Sequence, residues 1–165
     1  MQPVSVLGKI GEVGFRFSER MSGTYRGVRA GLGDGEMRFD FEVRCDDLPA
    51  GILDVVGGMQ GSVTMDGVAN GAPANGAIAI SPLWKRRIRY TFSFVGDDGL
   101  RYEFDGKKTL RPFSPLRSWT TLEGKVREEK AGDLVAEAVL RFHMKDEFVS
   151  LLRSFRPIRR EWTPA

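Results

Sequence analysis

The feature that most constrains this chain is hydrophobic alternation with a period of two, repeated along most of the sequence. Met37, Phe39, Phe41, Val43 and Cys45 share one parity, and Arg38, Asp40, Glu42 and Arg44 share the other. Successive side chains of a β-strand point to opposite faces, so such a segment has one enclosed face and one solvated face. Residues 13–21 repeat the pattern, with Val13, Phe15, Phe17 and Met21 set against Arg16, Ser18 and Arg20. Residues 61–68 place Val63 and Met65 opposite Ser62, Thr64 and Asp66, and residues 76–81 make a short small-residue strand ending at Pro82. Ile88, Tyr90, Phe92 and Phe94 alternate with Arg87, Arg89, Thr91 and Ser93; Leu100, Tyr102 and Phe104 then alternate with Arg101, Glu103 and Asp105. A turn containing Asp98-Gly99 joins these two runs into a β-hairpin. Asp105-Gly106 marks another turn, with residues 107–110 continuing into the following strand. Residues 120–127 and 134–144 form a last pair, the second with Ala136, Ala138, Leu140, Phe142 and Met144 toward the core.

The period changes once, near the end. Phe148, Leu151, Leu152 and Phe155 lie on one face of a helix, Asp146 can cap its start and Pro157 forces its end. The chain therefore reads as one all-β domain over residues 1–165, with eight or nine antiparallel strands and one short C-terminal amphipathic helix. Consecutive strands must manage their edges, and closing into an up-and-down β-barrel does so; a sandwich is the alternative. The barrel accounts better for alternation that persists through almost every strand. A barrel of eight strands either fills itself with side chains or holds one small ligand. That choice is the functional question.

Composition narrows the field. The 20 glycines in 165 residues exceed the usual share of about 7% and do not suit a helical bundle. The 11 Phe, 3 Tyr and 3 Trp supply a core, and Lys+Arg 25 against Asp+Glu 22 excludes a disordered polyelectrolyte. A pI near 9.2 resting on a net charge of +3 makes a poor case for nucleic acid. One Cys and one His supply neither an internal disulfide nor a zinc site, and no cofactor is expected. Residues 1–12 lack the charged start and the apolar run of about 7 to 15 residues of a secretory signal. No stretch approaches the roughly 18 apolar residues of a membrane span, so the expected location is cytoplasmic.

Glu19 breaks the parity of its strand, in line with Phe15, Phe17 and Met21. A carboxylate aimed into an apolar interior needs a cation or donor to meet it, which marks a ligand anchor or an acid/base group. The alternative is that the strand bulges or ends near Ser18 and leaves Glu19 solvated at the rim. Tyr90 and Tyr102 carry hydroxyls on the enclosed faces of neighbouring strands, where each bonds either a ligand or a protein partner. Phe39, Phe41, Ile88, Phe92 and Phe104 line the same interior, as cavity wall or as simple core. Trp84, Lys85, Arg86, Arg87 and Arg89, with Arg101, form the densest basic run. Facing Glu103 and Asp105, they read as a solvated, cross-strand-paired face rather than a phosphate-binding stripe. Arg153, Arg156, Arg159 and Arg160 make a basic tail. Cys45 has the core parity and His143 the outer one, which argues against a Cys/His dyad. Residues 31–35 (GLGDG) lack phosphate-loop spacing and read as a turn.

Three stretches together resemble a β-rich accessory module of some bacterial cholesterol-oxidase-like flavoenzymes and associated hydrolases. They are residues 17–25 (FSERMSGTY), the strand at 87–94 with residues 98–108 (DGLRYEFDGKK), and residues 119–122 (WTTL). The resemblance spans most of the chain but rests on structural turns. It implies a lipid-related accessory or binding role and transfers no catalytic residue, because the flavin chemistry belongs to a separate domain. The architecture is also similar to lipocalin-like barrels, although the first strand lacks their Gly-x-Trp signature.

Three functions are compatible with these residues. The first is noncatalytic binding of an apolar small molecule, a lipid or sterol, by Phe15, Phe17, Phe39, Phe41, Ile88, Phe92 and Phe104, with Tyr90, Tyr102 and Glu19 fixing its orientation. The second is a cofactor-independent isomerase or cyclase using Glu19 with a Tyr. The third is a protein-interaction module docking through Arg87 and Arg89. Oligomeric state is not legible in the sequence.

Overall fold

The computed structural model describes residues 13–45, 55–81, 87–109, 121–142 and 156–159. Nine strands follow in chain order: β1 (Val13–Gly27), β2 (Gly35–Cys45), β3 (Val55–Met65), β4 (Ala69–Ser81), β5 (Arg87–Val95), β6 (Arg101–Thr109), β7 (Thr121–Glu128), β8 (Leu134–Arg141) and β9 (Arg156–Arg159). Each of β2 to β7 pairs antiparallel with the next, and β1 pairs with β8, β2 and β9. The first eight strands therefore close into an up-and-down barrel, the arrangement anticipated from the persistent alternation. β1 is long enough to take two partners along one edge. Ser22 to Gly27 face β8, whereas Val13 to Arg16 face β9.

Alternation translates directly into inside and outside. In β2, Met37, Phe39, Phe41, Val43 and Cys45 are buried, while Arg38, Glu42 and Arg44 are exposed. The register Phe15↔Cys45 through Tyr25↔Gly35 carries the same parity onto β1. Burying a side chain the size of Phe, Met or Leu is worth about 1.5 to 3 kcal/mol. The shared interior of Phe39, Phe92, Phe104, Met21, Met65, Leu122 and Leu140, all under 2% exposed, is thus the dominant stabilising element.

Several expected boundaries move: β1 runs on past Met21 to Gly27, β3 begins at Val55 and β4 at Ala69, and β8 ends at Arg141. Asp105-Gly106 is not a turn: β6 runs on to Thr109, and Gly106 pairs with Tyr90 on one side and Gly124 on the other. Within a paired strand the Asp-Gly dipeptide has no chance to fold back, because both neighbours hold it extended. Residues 66–68 are also not strand. β3 ends at Met65, and Gly67, with φ of 71°, turns the chain into β4. The expected C-terminal helix over 148–155, with Asp146 at its cap, lies outside the described residues. Pro157 belongs to β9, where its Cα partner is Phe15.

The two ends of the barrel differ. At one, residues 28–34, 66–68, 96–100 and 129–133 connect the strands. Asp98-Gly99 forms the expected tight turn, with Gly99 at φ 80° and its N–H donated to the Gly96 carbonyl at 3.0 Å. This turn end is sealed by polar contacts. Tyr25 donates its hydroxyl to the Asp66 carbonyl, and Tyr102 donates to Asp98 Oδ2 at 2.6 Å while accepting from Arg29 Nη1 at 2.9 Å. The second end is marked by the opposite strand ends, Cys45, Val55, Ser81, Arg87, Thr109 and Thr121; residues 46–54, 82–86, 110–120 and 143–155 lie outside the described residues.

Candidate functional site

β1 continues without interruption through Ser18, so the rim alternative for Glu19 does not apply. Its side chain points inward between Phe17 and Met21 and is 7% exposed. On β6 the inward set begun by Tyr102 and Phe104 extends, two residues at a time, to Gly106 and Lys108. Lys108 is 4% exposed. It pairs with Ile88 next to the end of both strands, which places it toward the second end of the barrel.

Three polar side chains from three strands meet there. Lys108 Nζ donates to Glu19 Oε1 at 2.7 Å, and the Tyr90 hydroxyl lies 2.8 Å from Glu19 Oε2 and 3.1 Å from Oε1. Lys108 Nζ also sits 5.0 Å from the centre of the Tyr90 ring, within cation–π range. Burial, reinforced by the adjacent Glu19 carboxylate, pushes the Tyr90 phenol well above its ordinary value. Tyr90 therefore keeps its proton and donates a hydrogen bond to Glu19. The result is a charge-neutral cluster of one carboxylate, one ammonium and one phenol, enclosed by apolar side chains.

Beneath it lies an aromatic floor. Phe92 and Phe104 stack at 4.7 Å, Phe41 lies 4.8 Å from Phe92, and Phe39 touches Phe41 at 5.1 Å and Phe92 at 5.4 Å. Phe39 reaches up to Tyr90 at 6.2 Å, joining floor to polar cluster. The ring of Phe104 fits because Gly106 and Gly124 have no side chains: a Cβ on Gly124 would sit 2.2 Å from Phe104 Cζ. Phe39, Phe41, Phe92 and Phe104 thus pack against one another across the middle of the barrel. Toward the second end, Phe17 and Ile80 are only partly buried, and Ile88 is 8% exposed.

Not every candidate from the sequence converges here. Tyr102 belongs to the turn end, where it bonds Asp98 and Arg29 and its ring stacks on Phe94 at 5.6 Å. Phe15 is placed by its backbone partner Cys45 on β2. Lys108 was not among the candidates. Its parity with Tyr102 and Phe104 signals an inward ammonium, but the Asp105-Gly106 dipeptide reads as a break before the pattern reaches it.

The outer face of β5 and β6 is ion-paired. Arg89 grips Asp105 through Nε at 2.9 Å and Nη2 at 2.8 Å, and Arg101 meets Glu129 at 2.8 Å. Lys107, Lys125, Asp105, Glu123 and Glu137 mix both signs along the neighbouring outer groove. Trp84, Lys85, Arg86 and His143 lie outside the described residues. The Cys45 thiol is buried against Gly57. Among the described residues, no three His, Cys, Asp or Glu side chains gather into a metal-binding group, and no helix is long and apolar enough to cross a membrane. No family model, no curated protein and no solved structure matches the chain.

Proposed function

We propose that the barrel binds a small, mostly apolar molecule of lipid or sterol type at its second end, above the aromatic floor. The observation that carries this reading is the Glu19–Lys108 pair, whose side chains are only 6% and 5% exposed. Desolvating two charges offsets most of their mutual attraction, so a buried ion pair is a poor way to hold a fold together compared with apolar side chains of the same volume. A few polar groups set into an otherwise apolar interior are the arrangement by which a binding pocket fixes the orientation of an apolar ligand. Phe17, Ile80 and Ile88 supply the walls, Phe41 and Phe92 the floor, and Glu19, Tyr90 and Lys108 the polar anchor. The resemblance to accessory modules of cholesterol-oxidase-like enzymes supports a lipid-related binding role.

Native mass spectrometry of protein purified from cells tests this directly, together with melting temperatures across a panel of sterols, esters, ketones and fatty acids. A copurified small molecule, or a ligand-dependent rise in melting temperature, is expected. A bare mass combined with a flat melting panel overturns the reading.

A further inference from the structure

We infer that the polar group of the ligand is an uncharged hydrogen-bond acceptor, a ketone, ester or amide carbonyl, held by Lys108; this rests on the binding role proposed above. The argument is an inventory of donors and charges. An ammonium has three N–H donors. Lys108 uses one, on Glu19 at 2.7 Å, and among the described residues its other two make no hydrogen bond. Tyr90 has a single O–H, and Glu19 receives it. The unused donor capacity of the cluster therefore resides on Lys108, at a group 5% exposed. A ligand that completes this cluster brings an acceptor.

Charge decides which acceptor. Glu19 and Lys108 already neutralise each other, and among the described residues Glu19 makes no second ion pair. A ligand carboxylate would add a second negative charge beside Glu19 in an apolar enclosure, with a desolvation penalty and like-charge repulsion to overcome. A carbonyl oxygen takes a charge-assisted hydrogen bond from Lys108 without changing the net charge, and its hydrocarbon remainder rests on the Phe41 and Phe92 rings.

The test uses three probes on the intact protein: a medium-chain methyl ketone, the fatty acid of the same chain length and the parent alkane, each titrated by calorimetry. A hydrogen bond to a charged group corresponds to a factor of about ten to a hundred in affinity, so the ketone should bind by that margin more tightly than the alkane. The fatty acid should not exceed the ketone. In the triple variant Glu19→Met/Tyr90→Phe/Lys108→Met, which leaves no stranded hydroxyl donor, the ketone's advantage should vanish while alkane affinity persists. Equal affinity for ketone and alkane, or tighter binding of the acid, overturns the inference and leaves the binding role standing. No binding of any probe counts against both. If the triple variant does not fold, the wild-type comparison alone still decides.

Discussion

Removing one member of the buried ion pair should be far more damaging than removing both. In Lys108→Met the Glu19 carboxylate keeps only the Tyr90 hydroxyl, at a site 6% exposed. An orphaned buried charge costs about 3 to 5 kcal/mol, a large part of a typical domain stability of about 5 to 15 kcal/mol. Glu19→Met should be worse, because it strands the Lys108 ammonium over the Tyr90 ring and also leaves the Tyr90 hydroxyl unbonded, adding about 1 to 3 kcal/mol. The double variant Glu19→Met/Lys108→Met removes both charges and strands only that hydroxyl, so its loss should fall to about 0 to 2 kcal/mol; adding Tyr90→Phe should recover most of the remainder. Urea unfolding followed by circular dichroism reads this order. With a slope of about 2 kcal/mol per molar, the Lys108→Met midpoint drops by roughly 2 M, whereas the triple variant stays near wild type. Strictly additive losses, with the double variant as unstable as the two single losses summed, would show that the charges are not coupled in a desolvated site. A near-silent Lys108→Met would refute the burial itself.

Other consequences follow from the same interior. Burial raises the phenols of Tyr25, Tyr90 and Tyr102, the chain's 3 tyrosines, above 10.0, so their folding contribution is intact below that pH and is lost as pH rises through the raised values. An alkaline spectrophotometric titration should show phenolate appearing together with loss of structure; three ordinary tyrosine titrations in folded protein would contradict it. At the turn end the Tyr102 hydroxyl lowers the Asp98 carboxyl below 3.8, so that contribution is present above this pH and lost as pH falls through the lowered value. Asp98→Asn should flatten the acid limb of the stability profile, and an unchanged limb would count against the contact. Gly124→Ala forces a methyl against the Phe104 ring and should destabilise by about 1 to 3 kcal/mol, with Phe104→Leu restoring part of the loss; a neutral Gly124→Ala melting curve would mean the ring is not seated there. Arg89→Ala breaks only an exposed pair and should change stability by no more than about 1 kcal/mol in thermal melts.

Much of the fold can be read from local pattern. The alternation of Met37 to Cys45 and of Arg87 to Phe94 specifies which side chains are enclosed, because a strand's two faces are dictated by the backbone pleat and need no partner. The same rule places Glu19 inside from its parity with Phe17 and Met21. Asp98-Gly99 is legible as a turn for an equally local reason: glycine adopts the positive φ that the turn requires.

Pairing across the barrel is not local, and there the sequence is silent. Glu19 and Lys108 are separated by 89 positions, on strands that are not neighbours, and they meet only because the closed barrel brings β1 and β6 face to face across the interior. Asp105-Gly106 has the chemistry of a turn, yet pairing with β5 and β7 on either side keeps it extended. Tyr90 and Tyr102 share an inward parity, but the position of each along the barrel sends one to Glu19 and the other to Asp98. Periodicity determined the buried face of each strand it marked, since this depends on backbone geometry over a few residues, while several strand limits were set by pairing. Closure of the sheet decided which buried polar groups meet, because that depends on strand order and register, and it turned an isolated inward carboxylate into a neutral cluster of three strands.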